Sequence, residues 1–158
     1  INLYKSWIWG KTLSLKENLW LFVNNIKVEV ISKTVINNDE IPIKECGDYN
    51  FDGKIFSIQK YDEIPQKYPD DKDFAAYISI DKIDFILRHR KDGDKIHPLG
   101  SRGSQKLKKY LNEKKIPQHQ KNDLFLLCNG NEVLWVAGIG ISEKIKVVNK
   151  PTHMITLK

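Results

Sequence analysis

At 158 residues, with 41% hydrophobic and 10% aromatic content, the chain has enough apolar material for one sizeable core or two small ones, which excludes a disordered chain. No apolar run approaches the roughly 18 residues needed to span a bilayer, and no signal-peptide pattern opens the sequence, so no membrane partner and a cytoplasmic location are expected. The formal net charge of +6 is concentrated: between Lys82 and Lys121 stand twelve Lys/Arg against four acids, leaving the rest of the chain slightly acidic.

Residues 3–20 hold Trp7, Trp9 and Trp20 with loose apolar alternation through Thr12-Leu13-Ser14-Leu15. Aromatics in a period of two predict strands rather than a helix. A second apolar run covers residues 19–23, Asn24-Asn25 offers a turn, and residues 26–31 alternate cleanly, so a β-meander is expected. From 36 to 73 turn residues and acids dominate: Asn37-Asn38-Asp39, Gly47-Asp48, Asp52-Gly53, Pro65, Pro69 and Asp70-Asp71. An ordered acidic loop over 37–73 with one short strand at 54–59 is the expectation.

Residues 74–80 and 83–90 read as two strands joined near Asp81-Lys82. In the second, Phe85, Leu87 and His89 alternate with Ile86, Arg88 and Arg90, so the two arginines should emerge together on a wet face. Beyond Pro117, residues 124–128 and 132–137 flank Asn129-Gly130-Asn131, a strong hairpin signal. Gly138 and Gly140 break the sheet, and short strands at 144–148 and 153–157 close the chain. Many short strands with one clear helix point to an α+β fold, a small β-sandwich-like core with one main basic helix docked on it.

That helix follows Ser104, its expected cap, with Leu107, Tyr110 and Leu111 as the buried stripe. It ends before Pro117. Its solvent arc carries Lys106, Lys108, Lys109 and Lys115. In front of it, Gly100 and Gly103 bracket Ser101-Arg102, where backbone N–H groups could converge on an anion at a helix start. Arg88, Arg90, Lys91, Lys95 and Arg102 add cationic groups from the strand and loop, and arginine's forked donors suit phosphate oxygens. Gly93, Asp94, Pro98, Gly100 and Gly103 are read as the residues that structure the loop, with Asp94 accepting loop N–H groups or orienting a neighbouring Arg or Lys. The whole is a polyanion-facing surface.

His89, Asp92, Asp94 and His97 crowd together, but their spacing matches no zinc or EF-hand pattern, and the surrounding cations disfavour a metal. Cys46 and Cys128 lack neighbours at ligand spacing and read as incidental thiols. The loop before the helix lacks Walker spacing, so nucleotide hydrolysis is not expected of it.

The ordered pattern Arg88-x-Arg90-x-x-Gly93-Asp94-x-x-x-Pro98-Leu99-Gly100-x-x-Gly103-x-x-Lys106-Leu107-Lys108, then Lys115-Ile116-Pro117, then Leu134-Trp135-Val136-x-Gly138-x-x-Ile141-Ser142-Glu143, resembles the C-terminal domain of the tRNA(Ile)-lysidine synthetase family. The resemblance covers residues 76–158, with residues 1–75 as a β-rich lead-in packed on the same core. It implies an α+β domain with an unusual β-sandwich, also likened to a domain of the phenylalanyl-tRNA synthetase β subunit. The family's enzyme attaches lysine to the wobble cytidine of an isoleucine tRNA with a CAU anticodon, using ATP and magnesium bound by an N-terminal domain with an SGGxDS-type loop. No such loop stands in this chain, which begins at Ile1 and contains only Met154, so a piece of a longer protein is expected. It would carry no cofactor and no catalytic residue of its own, would be inactive alone, and would grip the acceptor-stem side of the tRNA, with a homodimer possible for the parent.

On this reading Arg88, Arg90, Lys91, Lys95, Arg102, Lys106, Lys108, Lys109 and Lys115 are the tRNA-binding residues. The chain departs from the family's pattern at Lys121-Asn122, where an Arg-Asp pair is usual, at Phe125, where proline is common, and at Gln105, where a basic residue is frequent. Two other classes of function are weighed: a non-catalytic basic module that binds an acidic protein partner, and a hydrolase using His89 and His97.

Overall fold

The structure, a computed structural model, describes residues 40–158 together with the backbone of three strands upstream of them. Those strands, β1 (Thr12–Lys16), β2 (Leu19–Val23) and β3 (Val28–Ser32), form an antiparallel sheet in chain order, the expected meander. Trp7, Trp9, the Asn24-Asn25 turn and the side chain of Trp20 lie outside the described residues.

Two further sheets follow. One is four-stranded, built from β5 (Gly47–Phe51), β6 (Lys54–Lys60), β7 (Ala75–Ile78) and β14 (His153–Leu157) in the order β5-β6-β14-β7. The other is seven-stranded: β4 (Ile41–Ile43), β8 (Phe85–Arg88), β9 (Lys95–Ile96), β10 (Gln105–Lys106), β11 (Leu126–Asn129), β12 (Glu132–Val136) and β13 (Gly140–Ile141). Its order is β10-β9-β12-β11-β8-β4, with β13 on β12, and the β9–β12 pair is parallel. One α-helix, α1 (Leu107–Glu113), covers part of the larger sheet.

Strand alternation sorts the side chains into two cores. Leu87, Leu127 and Trp135 face the four-stranded sheet and pack with Phe56, Ile58, Ile78 and Ile155 into the sandwich interior. Leu126, Cys128, Val133 and Val136 face the other way and meet Leu107, Tyr110 and Leu111 of α1. The register jumps between Leu127 and Cys128, which pair with Trp135 and Val133, so Leu134 is an extra residue on β12. This bulge lets Leu134 and Trp135 both enter the sandwich core while Val133 and Val136 serve the helix. The expected helical stripe is therefore buried, each side chain contributing on the order of 2 kcal/mol by leaving water.

Three expectations need correction. Residues 40–73, the described part of the expected acidic loop, hold three strands rather than one: β4, β5 and β6 lie among them, and Gly47-Asp48 opens a strand. Tyr49 and Phe51 alternate there with exposed Asp48 and Asn50, so the polar residues sit on the wet face of a strand whose other face is core. The two strands expected on either side of Asp81-Lys82 do form, at 75–78 and 85–88, and the chain passes between them from the smaller sheet to the larger. Residues 144–148 form no strand; Glu143–Ile145 is a single 3-10 turn, with the Ser142 hydroxyl accepting from the Lys144 N–H at 3.3 Å. Finally, the helix starts after Lys106 rather than Ser104, because Gln105 and Lys106 pair with Ile96 and Lys95.

The Asn-Gly hairpin forms between Asn129 and Glu132, with Gly130-Asn131 as its two turn residues and Gly130 at φ 58°. A left-handed first turn position is where glycine is needed.

Candidate nucleic-acid interface

Arg88 ends β8 opposite Leu126, on the sheet face that the helix and the 91–106 segment cover. Alternation does place it away from Leu87, but that face is roofed, and Arg88 is 3% exposed. Its Nη1 and Nη2 donate to both Asp94 carboxylate oxygens at 3.0 and 2.8 Å, and also to the backbone oxygens of His89 and Gly130, each at 2.9 Å. Asp94, 4% exposed, accepts the Lys91 N–H at 2.8 Å, and its own carbonyl accepts the Leu107 N–H at 2.9 Å. One buried ion pair thus ties together the end of β8, the loop, the β11–β12 turn and the start of α1. Asp94 does orient an arginine, but Arg88 and Arg90 do not emerge together, and Arg88 has no guanidinium face left for a ligand.

The loop between β9 and β10 is pinned from the side. The Gly100 N–H donates to Glu143 Oε2 at 2.8 Å, the Ser101 N–H to the Pro98 carbonyl at 3.0 Å, and the Ser142 hydroxyl to the His97 carbonyl at 3.1 Å. The Gly100 N–H, followed by Lys146, holds the Glu143 carboxyl below the usual range. The expected convergence of N–H groups on an anion is therefore not formed: Gly100 and Ser101 spend theirs inside the protein, and two strand residues separate the loop from the helix. Gly93 needs its φ of 89°, whereas an added Cβ at Gly103 would meet open space.

What the fold does bring together is a groove of about 290 Å³ lined by Arg90, Lys91, Gly93, Lys95, Lys106, Lys108 and Gln118, with Asp92, Asp94 and Leu107 completing it. The strand end, the loop and the first turn of α1 meet there. Of its carboxylates, Asp94 is consumed by Arg88; of its cations, Lys91 pairs with Glu40. Lys95, Lys106 and Lys108 are exposed and make no ion pair among the described residues, and Arg90 donates only to the neutral Asn122 Oδ1 at 3.0 Å. Lys109, also exposed, lies 3.8 Å from Glu113, and Arg102 and Lys115 are exposed outside the groove lining. Sequence reading missed Gln118, which lines the groove, and Lys121, 5% exposed beside it. A lysine after a Pro-led turn carries no periodic signal that would have marked it as buried.

The other titratable residues disperse. His89, buried between the Phe51 and Phe125 rings, has Nδ1 3.0 Å from the Leu124 carbonyl and Nε2 3.1 Å from Asp52 Oδ2. His97 Nε2 lies 2.9 Å from the Ser101 carbonyl. Both imidazoles are engaged in holding backbone, which gives no support to a hydrolytic pair. Among the described residues no group of three or more His, Cys, Asp or Glu is placed to hold a metal, and no helix is long and apolar enough to cross a membrane.

Comparisons with known proteins bear on this geometry. The family model described as "TilS substrate C-terminal domain" matches residues 85–156. The tRNA(Ile)-lysidine synthase of Clostridium tetani is 30% identical over 157 residues, covering 94% of this chain and 34% of that protein. The one from Clostridium perfringens is 34% identical over 145 residues, 90% of this chain and 28% of that protein. The chain thus spans about a third of the length of these curated relatives. A solved crystal structure of a TilS C-terminal domain superposes with a TM-score of 0.57, covering 76% of this chain and 95% of that one at 18% identity, which shows the α+β fold. Residues 85–156, the strands, loop and helix that build the groove, belong to the substrate C-terminal domain family of the tRNA(Ile)-lysidine synthases, which are tRNA-processing ligases.

Proposed function

We propose that this chain is the RNA-gripping C-terminal part of a tRNA(Ile)-lysidine synthase, the ATP-dependent ligase that converts the wobble cytidine of an isoleucine tRNA to lysidine. The groove takes the phosphate backbone on the acceptor-stem side of the tRNA, while ATP, magnesium and lysine are handled by a catalytic domain that this chain does not contain. The observation that carries the reading is the convergence on one groove of Arg90, Lys95, Lys106 and Lys108, none of which makes an ion pair among the described residues. Duplex RNA is recognised mainly through its shape, phosphates and 2′-hydroxyls, so a fixed row of cations is the surface it requires. Arg102, Lys109 and Lys115 extend that surface, and Lys91 joins it through release from Glu40. Arg88, Asp94, Gly93, Pro98 and Gly100 hold it in shape.

The test is a salt titration of tRNA(Ile) binding, with heparin as competitor. Affinity should fall steeply with salt, and each groove cation replaced by alanine should remove roughly 0.7 to 0.9 from the log–log slope. Heparin of matched charge displacing tRNA on equal terms would favour a basic module for acidic protein partners instead.

A further inference from the structure

Behind the groove wall lies a cation that the RNA-binding surface does not include. Lys121 follows the turn that begins at Pro117 and is 5% exposed. Its ammonium donates to Asn112 Oδ1 on α1 and to Gln118 Oε1, the latter at 3.3 Å. Neither acceptor is charged, and Lys121 makes no ion pair among the described residues. The charges that act on it are those of Arg90 and Lys108, and burial together with these two cations holds its ammonium below the usual lysine range.

The same imbalance holds for its neighbours. Among the described residues Arg90 meets only the amide oxygen of Asn122, and Lys108 has no carboxylate partner there. Of the acids on the groove, Asp94 belongs to Arg88, and Asp92 is exposed on the loop side with Gly93. Gln118 links the layers: it accepts from Lys121 behind and lines the groove in front with Arg90 and Lys108. Burying an ammonium without a counter-charge is unfavourable, and like charges brought together raise that cost. An anion seated in front of Gln118 would offset all three cations at once, through a partly screened gap.

We propose that Arg90, Lys108 and Lys121 form an oxyanion subsite at the Gln118 end of the groove, built for one phosphate group. In the RNA-bound chain that group is a backbone phosphodiester, an assignment that rests on the RNA-binding reading, whereas the subsite itself does not. Arg90 and Lys108 touch the phosphate. Lys121 is a positioning residue that acts through Gln118 and through its charge.

The experiment is an NMR titration of the isotopically labelled chain with inorganic phosphate, following the Arg90 side-chain Nε–H and the Gln118 side-chain amide. Both signals should move together and saturate. Lys121→Gln, which keeps an amide among Asn112 and Gln118 but removes the charge, should weaken the phosphate midpoint about tenfold, the order expected for one unit charge across a partly screened gap. Lys121→Arg should restore most of it. Lys108→Gln changes an exposed side chain and so reports on the subsite without risk to the fold; it should weaken the midpoint likewise. No movement of the two signals in the unaltered chain, or a Lys121→Gln midpoint equal to the original, overturns the subsite. A second arm adds a short RNA duplex. Duplex binding that shifts Arg90 and Gln118 and is competed by phosphate supports the phosphodiester source. Duplex binding with both signals stationary overturns the phosphodiester assignment and leaves the RNA reading standing, whereas a phosphate response without any duplex binding upholds the subsite and removes RNA as its source.

Discussion

Arg88 and Arg90 stand two residues apart at the end of one strand and meet opposite fates. Beneath the loop, Arg88 is buried against Asp94 and two backbone carbonyls, its four Nη–H donors engaged and its charge matched. On the groove wall, Arg90 meets an amide oxygen, with Lys108 and Lys121 near it and no carboxylate of its own among the described residues. The lesson is that charge content does not locate a binding surface; pairing does. A matched cation is part of the scaffold, and unmatched ones are what an anionic partner can use.

This contrast can be broken at its scaffold side first. Asp94→Ala leaves the Arg88 guanidinium buried without its counter-charge, and the expected loss is about 3–5 kcal/mol of stability in a urea melt. A melt midpoint unchanged from the original would mean that the pair is not structural. Next, Leu107→Ala opens a void under the first turn of α1, where the side chain is 1% exposed; a loss of about 2–4 kcal/mol is expected from the same melt, together with weaker RNA binding because Lys106 and Lys108 lose their footing.

On the groove side the sign of the effects reverses. Lys108→Ala should change stability by no more than about 0.5 kcal/mol, yet lower RNA affinity and reduce the salt slope, read by filter binding. The smallest effect concerns pH. Glu143 has a folded-state pKa held down by the Gly100 N–H and then Lys146, so its contribution is present above the unfolded carboxylate range and is lost as pH falls through the lowered folded value. Hydrogen exchange at the Gly100 amide should therefore lose protection in acid, and Glu143→Gln should flatten that dependence. Protection that is indifferent to pH would detach the loop from Glu143.

Much of this was legible in the sequence, for identifiable reasons. Periodicity gave the buried stripe Leu107, Tyr110 and Leu111, and turn chemistry gave the Gly130 hairpin and the Asp52-Gly53 turn, where φ is 47° and 74°. The motif order gave the family, and Asp94 was placed correctly as a partner for a nearby arginine. Alternation also put Arg88 on the correct face of β8, but alternation reports a face and not what lies on it; the roof of helix and loop is a tertiary fact. The strand at 47–51 was hidden because Gly47 and Asp48 read locally as a turn, and the one at 41–43 because Pro42 interrupts a run of only three residues. Lys121 was invisible for the complementary reason: burial of a lysine depends on amides from Asn112 and Gln118 that the fold delivers from both sides of Pro117.

The most direct measurement pairs the two arginines. Arg88→Gln and Arg90→Gln would each be taken through a urea melt and through a salt titration of tRNA binding, the latter under conditions where both variants are folded. Arg90→Gln should keep the melt midpoint and lose affinity, with a slope shallower by roughly 0.7 to 0.9; Arg88→Gln should lower the midpoint and leave the slope of the folded chain as it was. An Arg90→Gln variant with unchanged affinity and slope, beside a stable Arg88→Gln variant whose slope has fallen, would contradict the account.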